Sequence, residues 1–128
     1  MSSIMDVAVQ LAKDGVDIAA ARPSLSHSSF MTEDAILKMA QYGVVANIQS
    51  NWLHLDGSTL MKHFGEARTA YFHPYRTLFD RNVMVGGGSD HMQKIGSFRS
   101  INQYNPFLGM WTMLVLTPRW MDKPFHPE

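Results

Sequence analysis

Apolar side chains recur at helical spacing near the start of the chain. Between Ile4 and Lys13 they are separated by three or four residues, and Gly15 stands where a left-handed helix stop is expected. The apolar positions of this segment are Ile4, Val7, Ala8, Leu11 and Ala12. The pattern predicts that a helix with one apolar face opens the chain.

A second helix is predicted between Thr32 and Gly43. Thr32 is the expected N-cap, and Glu33 and Asp34 place negative charge in the first turn, where it favours the helix dipole. Gly43 is the expected helix stop. The apolar positions that predict its buried face are Ile36, Leu37, Met39 and Ala40.

The second half of the chain is less regular. Apolar spacing predicts a helix over 74–81, and a last helix begins near Pro106 and stops at Pro118. Residues 50–71 contain two glycines among polar residues, so we expect a long irregular loop with a functional role. The tail, 119–128, carries two further prolines and is expected to be irregular.

Three short segments predict β-strands between these helices. They are 24–28, which follows Pro23, the β-branched run 44–48, and 83–85, which a triple glycine ends. Strands that alternate with helices predict parallel βαβ units rather than a sandwich or a helix bundle. The chain has 128 residues, about half of the roughly 250 residues of an eight-stranded α/β barrel.

Composition narrows the classes of partner. Eleven basic residues balance eleven acidic ones, so no global charge favours nucleic acid or an anionic membrane. No apolar run reaches the roughly 20 residues of a membrane-spanning helix, and the first residues lack the features of a signal peptide, so we expect a soluble cytoplasmic protein. The absence of cysteine excludes disulfides, thiolate metal sites and cysteine nucleophiles.

Two residues combine metal-binding chemistry with a position at a predicted strand end. His27 ends the first predicted strand, and Asp90 follows the third strand and the triple glycine. In parallel α/β folds, side chains beyond the carboxyl ends of strands reach the ligand site. A nitrogen and an oxygen ligand suit Zn²⁺ or a similar divalent ion. Two ligands alone do not hold a catalytic metal, and the alternative is that both residues are structural.

The triple glycine, 86–88, has a second interpretation. Consecutive backbone N–H groups form phosphate-binding nests in some proteins. The surrounding sequence matches neither a P-loop nor a dinucleotide-binding pattern, and Asp90 would repel a phosphate. A flexible turn after a buried strand is the simpler interpretation.

Several other residues are candidates with competing structural explanations. His91 adjoins Asp90 and is predicted either to contact substrate or to serve in capping or packing. Trp52, just beyond a predicted strand end, lines a pocket or covers the core. We expect surface or hydrogen-bonding positions for His54, His63, His73 and His126, and core positions for Met110, Trp111 and Met113.

An ordered series of motifs resembles one protein family. The series comprises HSSFMTEDAI at 27–36, GVVANIQSNW at 43–52, YRTL at 75–78, GSD at 88–90 and NPFLG at 105–109. It looks like the region of the sixth to eighth strands in the amidohydrolase superfamily, in the branch of N-substituted formamide deformylase. The resemblance implies part of a TIM-type (β/α)₈ barrel, and it covers most of the chain.

The resemblance also implies roles for two residues. The family's strand-six histidine binds the more exposed metal, and its strand-eight aspartate binds metal and shuttles protons. These roles map to His27 and Asp90. The implied reaction is metal-dependent hydrolysis of an amide or related carbon–nitrogen bond, with Zn²⁺ as the expected metal and a small amide as substrate.

The sequence departs from the family pattern in informative ways. It has no counterpart of the family's strand-one His-x-His, its strand-four carboxylate or modified lysine, or its strand-five histidine, and Ser26 stands where relatives carry an acidic residue. We therefore expect residues 1–118 to be a C-terminal part of such a barrel. Alone, it is expected to be inactive and to form homo-oligomers or to require the missing N-terminal barrel segment, because its sheet edges are unpaired.

A different class of function competes with this one. The same alternation of strands and helices is compatible with a small non-enzymatic α/β binding or assembly module of flavodoxin-like build. In that case Asp90 is a turn residue, His27 is structural, and neither binds a metal.

Overall fold

The structure, a computed structural model, describes residues 2–90, 105–118 and 120–126. Helices and strands alternate along this part of the chain. In order they are α1 (Ser2–Lys13), α2 (Ile18–Ala21), β1 (Ser24–Ser26), α3 (Glu33–Tyr42), β2 (Val45–Ile48), α4 (Trp52–Thr69), α5 (Tyr75–Asp80), β3 (Val85–Gly87) and α6 (Pro106–Val115).

The strands form one open parallel sheet in the order β1-β2-β3. Ser26 pairs with Asn47 on one side of β2, and Gly87 pairs with Ile48 on the other. The predicted parallel α/β arrangement is confirmed at this level. Within the described residues, β1 and β3 each have a neighbouring strand on one side only. All three strands point the same way, so their carboxyl ends meet at one edge of the sheet.

Helix α3 shows why its bounds are predictable from sequence. The Thr32 side chain accepts a hydrogen bond from the Ala35 backbone N–H at 3.2 Å, and Gly43 takes up the left-handed backbone (φ 66°) that ends the helix. Ile36 and Met39 are fully buried beneath it. Helix α3 packs against α1, where Lys38 donates to a carboxylate oxygen of Asp6 at 2.8 Å.

Helix α1 exists as predicted but turns a different face to the core. Met5 is buried, and Ala8 and Ala12 pack beside it. Ile4 and Val7 are more than half exposed, so the predicted apolar face is only partly correct. Met5, which lies outside the predicted face, provides the deepest contact.

The prediction of an irregular loop over 50–71 is wrong, because most of this segment forms helix α4. The two glycines that suggested a loop have other roles. A Cβ on Gly57 would lie 3.0 Å from the Trp120 ring, so this glycine permits close packing within a helix. Gly65 has φ 74° and ψ 170°, a conformation that only glycine adopts readily, and it kinks α4.

Strand β3 begins two residues later than predicted and includes Gly86 and Gly87. Neither these two glycines nor Gly88 adopts a positive φ, so the triple glycine itself lacks the left-handed residue that a phosphate-binding nest needs. The three glycines therefore do not form such a nest.

Helix α6 begins at Pro106 as predicted, with the Asn105 side chain accepting from the Phe107 N–H at 2.9 Å. The prediction that its Met110 and Trp111 lie in the core is wrong, since these side chains are 60% and 47% exposed. Only Met113 packs partly against the core.

None of the helices in the described ranges is both long enough and apolar enough to cross a bilayer.

The tail residues 120–126 contain no helix or strand but pack against the rest of the molecule. Phe125 is buried, and its N–H donates to the Leu116 carbonyl at 2.7 Å. The buried ring of His126 donates from Nε2 to the Phe72 carbonyl. The tail is therefore irregular, as predicted, and forms part of the core.

Candidate functional site

His27 is the first residue beyond β1, and local hydrogen bonds turn the chain there. The Ser28 N–H donates to the Ser26 carbonyl at 2.9 Å, and the Ser28 hydroxyl donates to the Leu25 carbonyl at 2.9 Å. His27 takes a left-handed backbone with φ 67°. This turn leaves the imidazole exposed at the carboxyl edge of the sheet.

Asp90 lies three residues beyond β3, at the same edge. It also has a left-handed backbone, with φ 47°. Aspartate and histidine tolerate this conformation better than most residues with a Cβ atom. Both candidate residues therefore have a left-handed backbone within three residues of the end of a parallel strand.

The structure brings these two side chains together. His27 Nδ1 and Asp90 Oδ2 are 3.5 Å apart. Their parent strands are the two outer ones, with β2 between them, and lie about 10 Å apart by the usual strand spacing. The side chains meet across the end of the central strand, so the predicted shared edge is found, but the two strands are not the neighbours that the sequence predicted. The two side chains are 56% and 36% exposed, so both are accessible to a ligand.

The geometry of the pair suits shared coordination of a small cation. Zinc–nitrogen and zinc–oxygen bonds of about 2.1 Å in a tetrahedron place two ligand atoms about 3.4 Å apart. The observed 3.5 Å between the nitrogen of His27 and the oxygen of Asp90 fits that edge, and it exceeds the roughly 2.8 Å of a charge-assisted hydrogen bond. In the described part of the chain, no group of three or more potential metal ligands occurs. The pair thus fits as one edge of a metal site whose other ligands these residues do not supply.

A cleft of about 430 Å³ lies at this edge of the sheet, and neither His27 nor Asp90 is among its lining residues. Ser89, the residue before Asp90, forms part of its wall. The cleft lies between the carboxyl ends of β2 and β3 and the first turns of α6. The residues that line it are Ser50, Asn51, Val85, Gly87, Gly88, Ser89, Asn105, Pro106, Gly109, Met110 and Met113.

A buried pair of hydroxyls lies at this edge and was not predicted. The oxygens of Ser50 and Tyr75 are 2.6 Å apart in a hydrogen bond. Burial raises the pKa of the Tyr75 phenol, although its hydrogen bond to Ser50 acts in the opposite direction, so the phenol keeps its proton at neutral pH. Ser50 is the second residue after β2, and this position just beyond a strand end is a usable sequence signal. Tyr75 opens α5 and carries no such signal.

The remaining two predicted site residues are less informative. Trp52 is the first residue of α4 and is half-buried, and its indole Nε1 has no hydrogen-bond partner in the structure's described residues. It is not among the residues that line the cleft. His91 lies outside the described residues. Substrate-binding roles for both stay predictions.

The predicted surface or hydrogen-bonding position is found for three of the other four histidines and not for His73. His73 is fully buried against the Phe72 ring, with centroids 4.0 Å apart, and neither of its ring nitrogens has a hydrogen-bond partner in the described ranges. His126 is buried as well, and the Nε2 of His54 lies 3.1 Å from the Thr112 hydroxyl. His54 and His126 are thus hydrogen-bonded and His63, on α4, is exposed, as predicted, whereas the prediction is wrong for His73.

The physical consequence of burial is large for His73. Removal from water, followed by the effect of the nearby His126, lowers the pKa of His73 to about 3. Its imidazole is therefore neutral at physiological pH. It belongs to the aromatic interior and has no access to the cleft edge.

Comparison of the chain with protein-family models, with curated proteins and with solved structures finds no match.

Proposed function

We propose that this chain carries part of the active site of a metal-dependent hydrolase that acts on carbon–nitrogen bonds other than peptide bonds, such as those of simple amides. The observation that carries the proposal is the meeting of His27 and Asp90, 3.5 Å apart, across the carboxyl edge of a parallel sheet. The architecture proposed for the whole enzyme is a (β/α)₈ barrel, to which β1, β2 and β3 contribute strands six to eight. The resemblance of the ordered motifs to amidohydrolases supports the same conclusion.

The division of roles follows from the two side chains. His27 offers a nitrogen ligand from Nδ1, and Asp90 offers a carboxyl group with two oxygens. When bound, a divalent ion, with zinc as the favoured choice, lowers the pKa of a water molecule to about 7 and polarises a carbonyl group. Asp90 would accept a proton from the attacking water and return it to the leaving nitrogen, so it is the proposed general base and acid.

The open edges of the sheet support a larger assembly. An unpaired strand edge is a template for pairing with another strand. Helix α6 also exposes four large apolar side chains at helical spacing, at Phe107, Met110, Trp111 and Leu114. We propose that further strands of the same barrel cover the sheet edges in the complete enzyme, that a second copy does so in the isolated chain, and that the isolated chain is inactive. A cytoplasmic location stays a prediction from sequence.

Calorimetric titration of the chelator-treated chain with zinc tests the site. We expect weak but saturable binding at one ion per chain. His27→Ala and Asp90→Asn should each weaken binding at least about tenfold, because each removes one donor atom from the metal. The matched controls are His63→Ala and Asp80→Asn, two exposed residues outside the His27–Asp90 pair, which should bind zinc like the wild type.

Two results would contradict this proposal. One is the absence of saturable zinc binding in a chain that is folded by circular dichroism. The other is retained amide hydrolysis after Asp90→Asn in a longer protein that contains this segment, since the proposed proton carrier would then be dispensable.

Light scattering coupled to size-exclusion chromatography tests the assembly. The proposal predicts that the isolated chain self-associates, since uncovered strand edges and apolar faces favour pairing. A stable monomer with a cooperative thermal transition would count against the barrel-segment architecture. It would not bear on metal binding by His27 and Asp90.

A non-enzymatic α/β binding module is the second candidate. The observation that favours it is that the described residues supply only a pair of metal donors beside a well-formed cleft. It predicts no zinc binding, together with stability changes as the sole effect of substitutions at His27 or Asp90. The zinc titration therefore separates the two candidates.

A further inference from the structure

The hydroxyl pair of Ser50 and Tyr75 lies beside the cleft and away from bulk solvent. Ser50 is 4% exposed and lines the cleft, whereas Tyr75 is 3% exposed and does not line it. Their oxygens are 2.6 Å apart, a short separation for two hydroxyl groups. Ser50 is therefore the member of the pair that can meet a ligand.

Counting hydrogens shows that the pair has one donor to spare. Each hydroxyl carries one hydrogen, and the bond between the two oxygens uses one of the two. No other described residue accepts a hydrogen bond from either oxygen. A donor left without any acceptor would cost about 1–3 kcal/mol, so the spare hydrogen favours a molecule in the cleft that accepts a hydrogen bond. If Tyr75 donates to Ser50, the spare hydrogen belongs to Ser50, next to the cleft.

The cleft walls define what else the ligand must be. Val85, Pro106, Met110 and Met113 provide an apolar surface, and no charged side chain of the described residues lines the cleft. A cleft of about 430 Å³ accommodates a small organic molecule. An ionic group would lose its hydration there without gaining a counter-charge from the described residues. The described part of the wall therefore favours a neutral and largely apolar ligand.

We propose that Ser50 is a substrate-binding residue that donates a hydrogen bond to the carbonyl oxygen of a neutral, largely apolar compound, and that Tyr75 is a positioning residue that holds the Ser50 hydroxyl in place. The inference rests on the proposed function in that it names the substrate class of the site beside Asp90. Ligand binding at the cleft does not itself require a metal, so it is measurable separately.

The experiment uses the metal-free chain with ¹³C-methyl-labelled methionine, because the methyl groups of Met110 and Met113 report on the cleft. The probes are benzamide, thiobenzamide and benzoate, which share a phenyl ring but differ in acceptor strength and charge. We expect benzamide to shift both methyl signals in a saturable way, thiobenzamide to bind several-fold more weakly because sulfur is a poorer acceptor, and benzoate not to bind.

Substitutions assign this preference to the hydroxyl pair. Ser50→Ala should weaken benzamide binding about tenfold and remove the preference for benzamide over thiobenzamide, since the proposed bond is worth about that much. Tyr75→Phe should reduce the preference partially. Ser89→Ala, which deletes a hydroxyl from another wall of the cleft, is the matched control and should leave the preference unchanged.

A destabilised single variant does not prevent the test. In the double variant Ser50→Ala with Tyr75→Phe, both hydroxyls are removed, so no buried polar atom loses its partner and the fold should be retained. The double variant should bind benzamide and thiobenzamide with equal affinity. An unchanged preference in a folded Ser50→Ala or double variant would overturn the inference.

The methyl signals also decide whether the cleft is a binding site. No shift with benzamide, or binding of benzoate as tight as that of benzamide, would overturn the inference. Benzamide binding with the expected preference but no zinc binding would instead overturn the proposed hydrolase alone. The two failures are therefore distinguishable.

Discussion

Two histidines, both with a left-handed backbone, lie in opposite kinds of surroundings. His27 has φ 67° and His73 has φ 54°. His27 stands at the carboxyl edge of the sheet, exposed and 3.5 Å from the carboxylate of Asp90. His73 is fully buried, with its ring stacked on Phe72.

The surroundings of His27 favour a role in binding or catalysis, whereas those of His73 favour a role in stability. An exposed imidazole next to a carboxylate has access to a proton, a metal or a ligand. A buried imidazole without hydrogen-bond partners in the described residues offers none of these, and it contributes by filling space. The sequence shows the same residue type at both positions, so the surroundings decide which histidine carries chemistry.

The largest expected difference is in the free energy of unfolding after removal of each ring. His73→Ala should destabilise the protein by about 3 kcal/mol, because a buried aromatic side chain is lost and a cavity remains. His27→Ala should change stability by less than about 0.5 kcal/mol, since its ring is exposed. Urea unfolding of the metal-free variants measures both values. Equal losses of stability in His73→Ala and His27→Ala would contradict the distinction between a buried structural histidine and an exposed one.

The free energy of unfolding should decrease in acid because of the buried His73. Burial lowers the pKa of His73 from 6.5 to about 3, so the unfolded chain binds one more proton than the folded chain between these values. Stability should therefore be intact above pH 6.5 and should fall as the pH decreases below it, by about 2 kcal/mol at pH 5 from this residue.

The pH slope of His73→Phe isolates that contribution. Phenylalanine fills similar space without a titratable group, so the slope between pH 6.5 and pH 4 should become shallower whatever its absolute stability. His63→Phe, at an exposed position, should keep the wild-type slope. If His73→Phe has the wild-type slope, another group causes the loss in acid.

A smaller effect on the free energy of unfolding is expected at the kink in α4, which precedes the buried His73 in the sequence. Gly65 has φ 74° and ψ 170°, and its carbonyl accepts from the Thr69 hydroxyl at 2.9 Å. Gly65→Ala should destabilise the protein by about 1–2 kcal/mol because a Cβ atom disfavours this backbone conformation. Thermal unfolding measures it. A stabilising Gly65→Ala would indicate that α4 runs straight through this position.

The smallest expected effect is that of Asp90→Asn on the metal-free protein. Asp90 is exposed, and an exposed pair of this kind contributes at most about 1 kcal/mol. We expect a change of less than about 0.5 kcal/mol in the free energy of unfolding, measured in urea with chelator present. A loss of several kcal/mol would make Asp90 a structural residue and favour the binding-module candidate.

Features set by local sequence were the predictable ones. The Thr32 cap, the Gly43 stop and the start of α6 at Pro106 depend on neighbouring residues, and the structure confirms each. The meeting of His27 and Asp90 at one edge also followed from sequence, because parallel strands end together. Their chemical roles stay predictions.

Features set by distant contacts were missed. Gly57 suggested a loop, but it allows Trp120 of the tail to pack closely on helix α4. The burial of His73 depends on a layer that the tail completes through Phe125. The Ser50–Tyr75 bond joins residues 25 positions apart, at a separation no local pattern encodes. Each of these requires the tertiary fold.

The most direct test of the account is long-range ¹H–¹⁵N NMR of the histidine rings before and after one equivalent of zinc. We predict that the Nδ1 signal of His27 alone moves to the range of metal-bound nitrogen, that His63 and His73 stay unchanged, and that Asp90→Asn abolishes the shift. An unchanged His27 signal in the zinc-saturated chain, or a shift that survives Asp90→Asn, would contradict joint binding of a metal by His27 and Asp90.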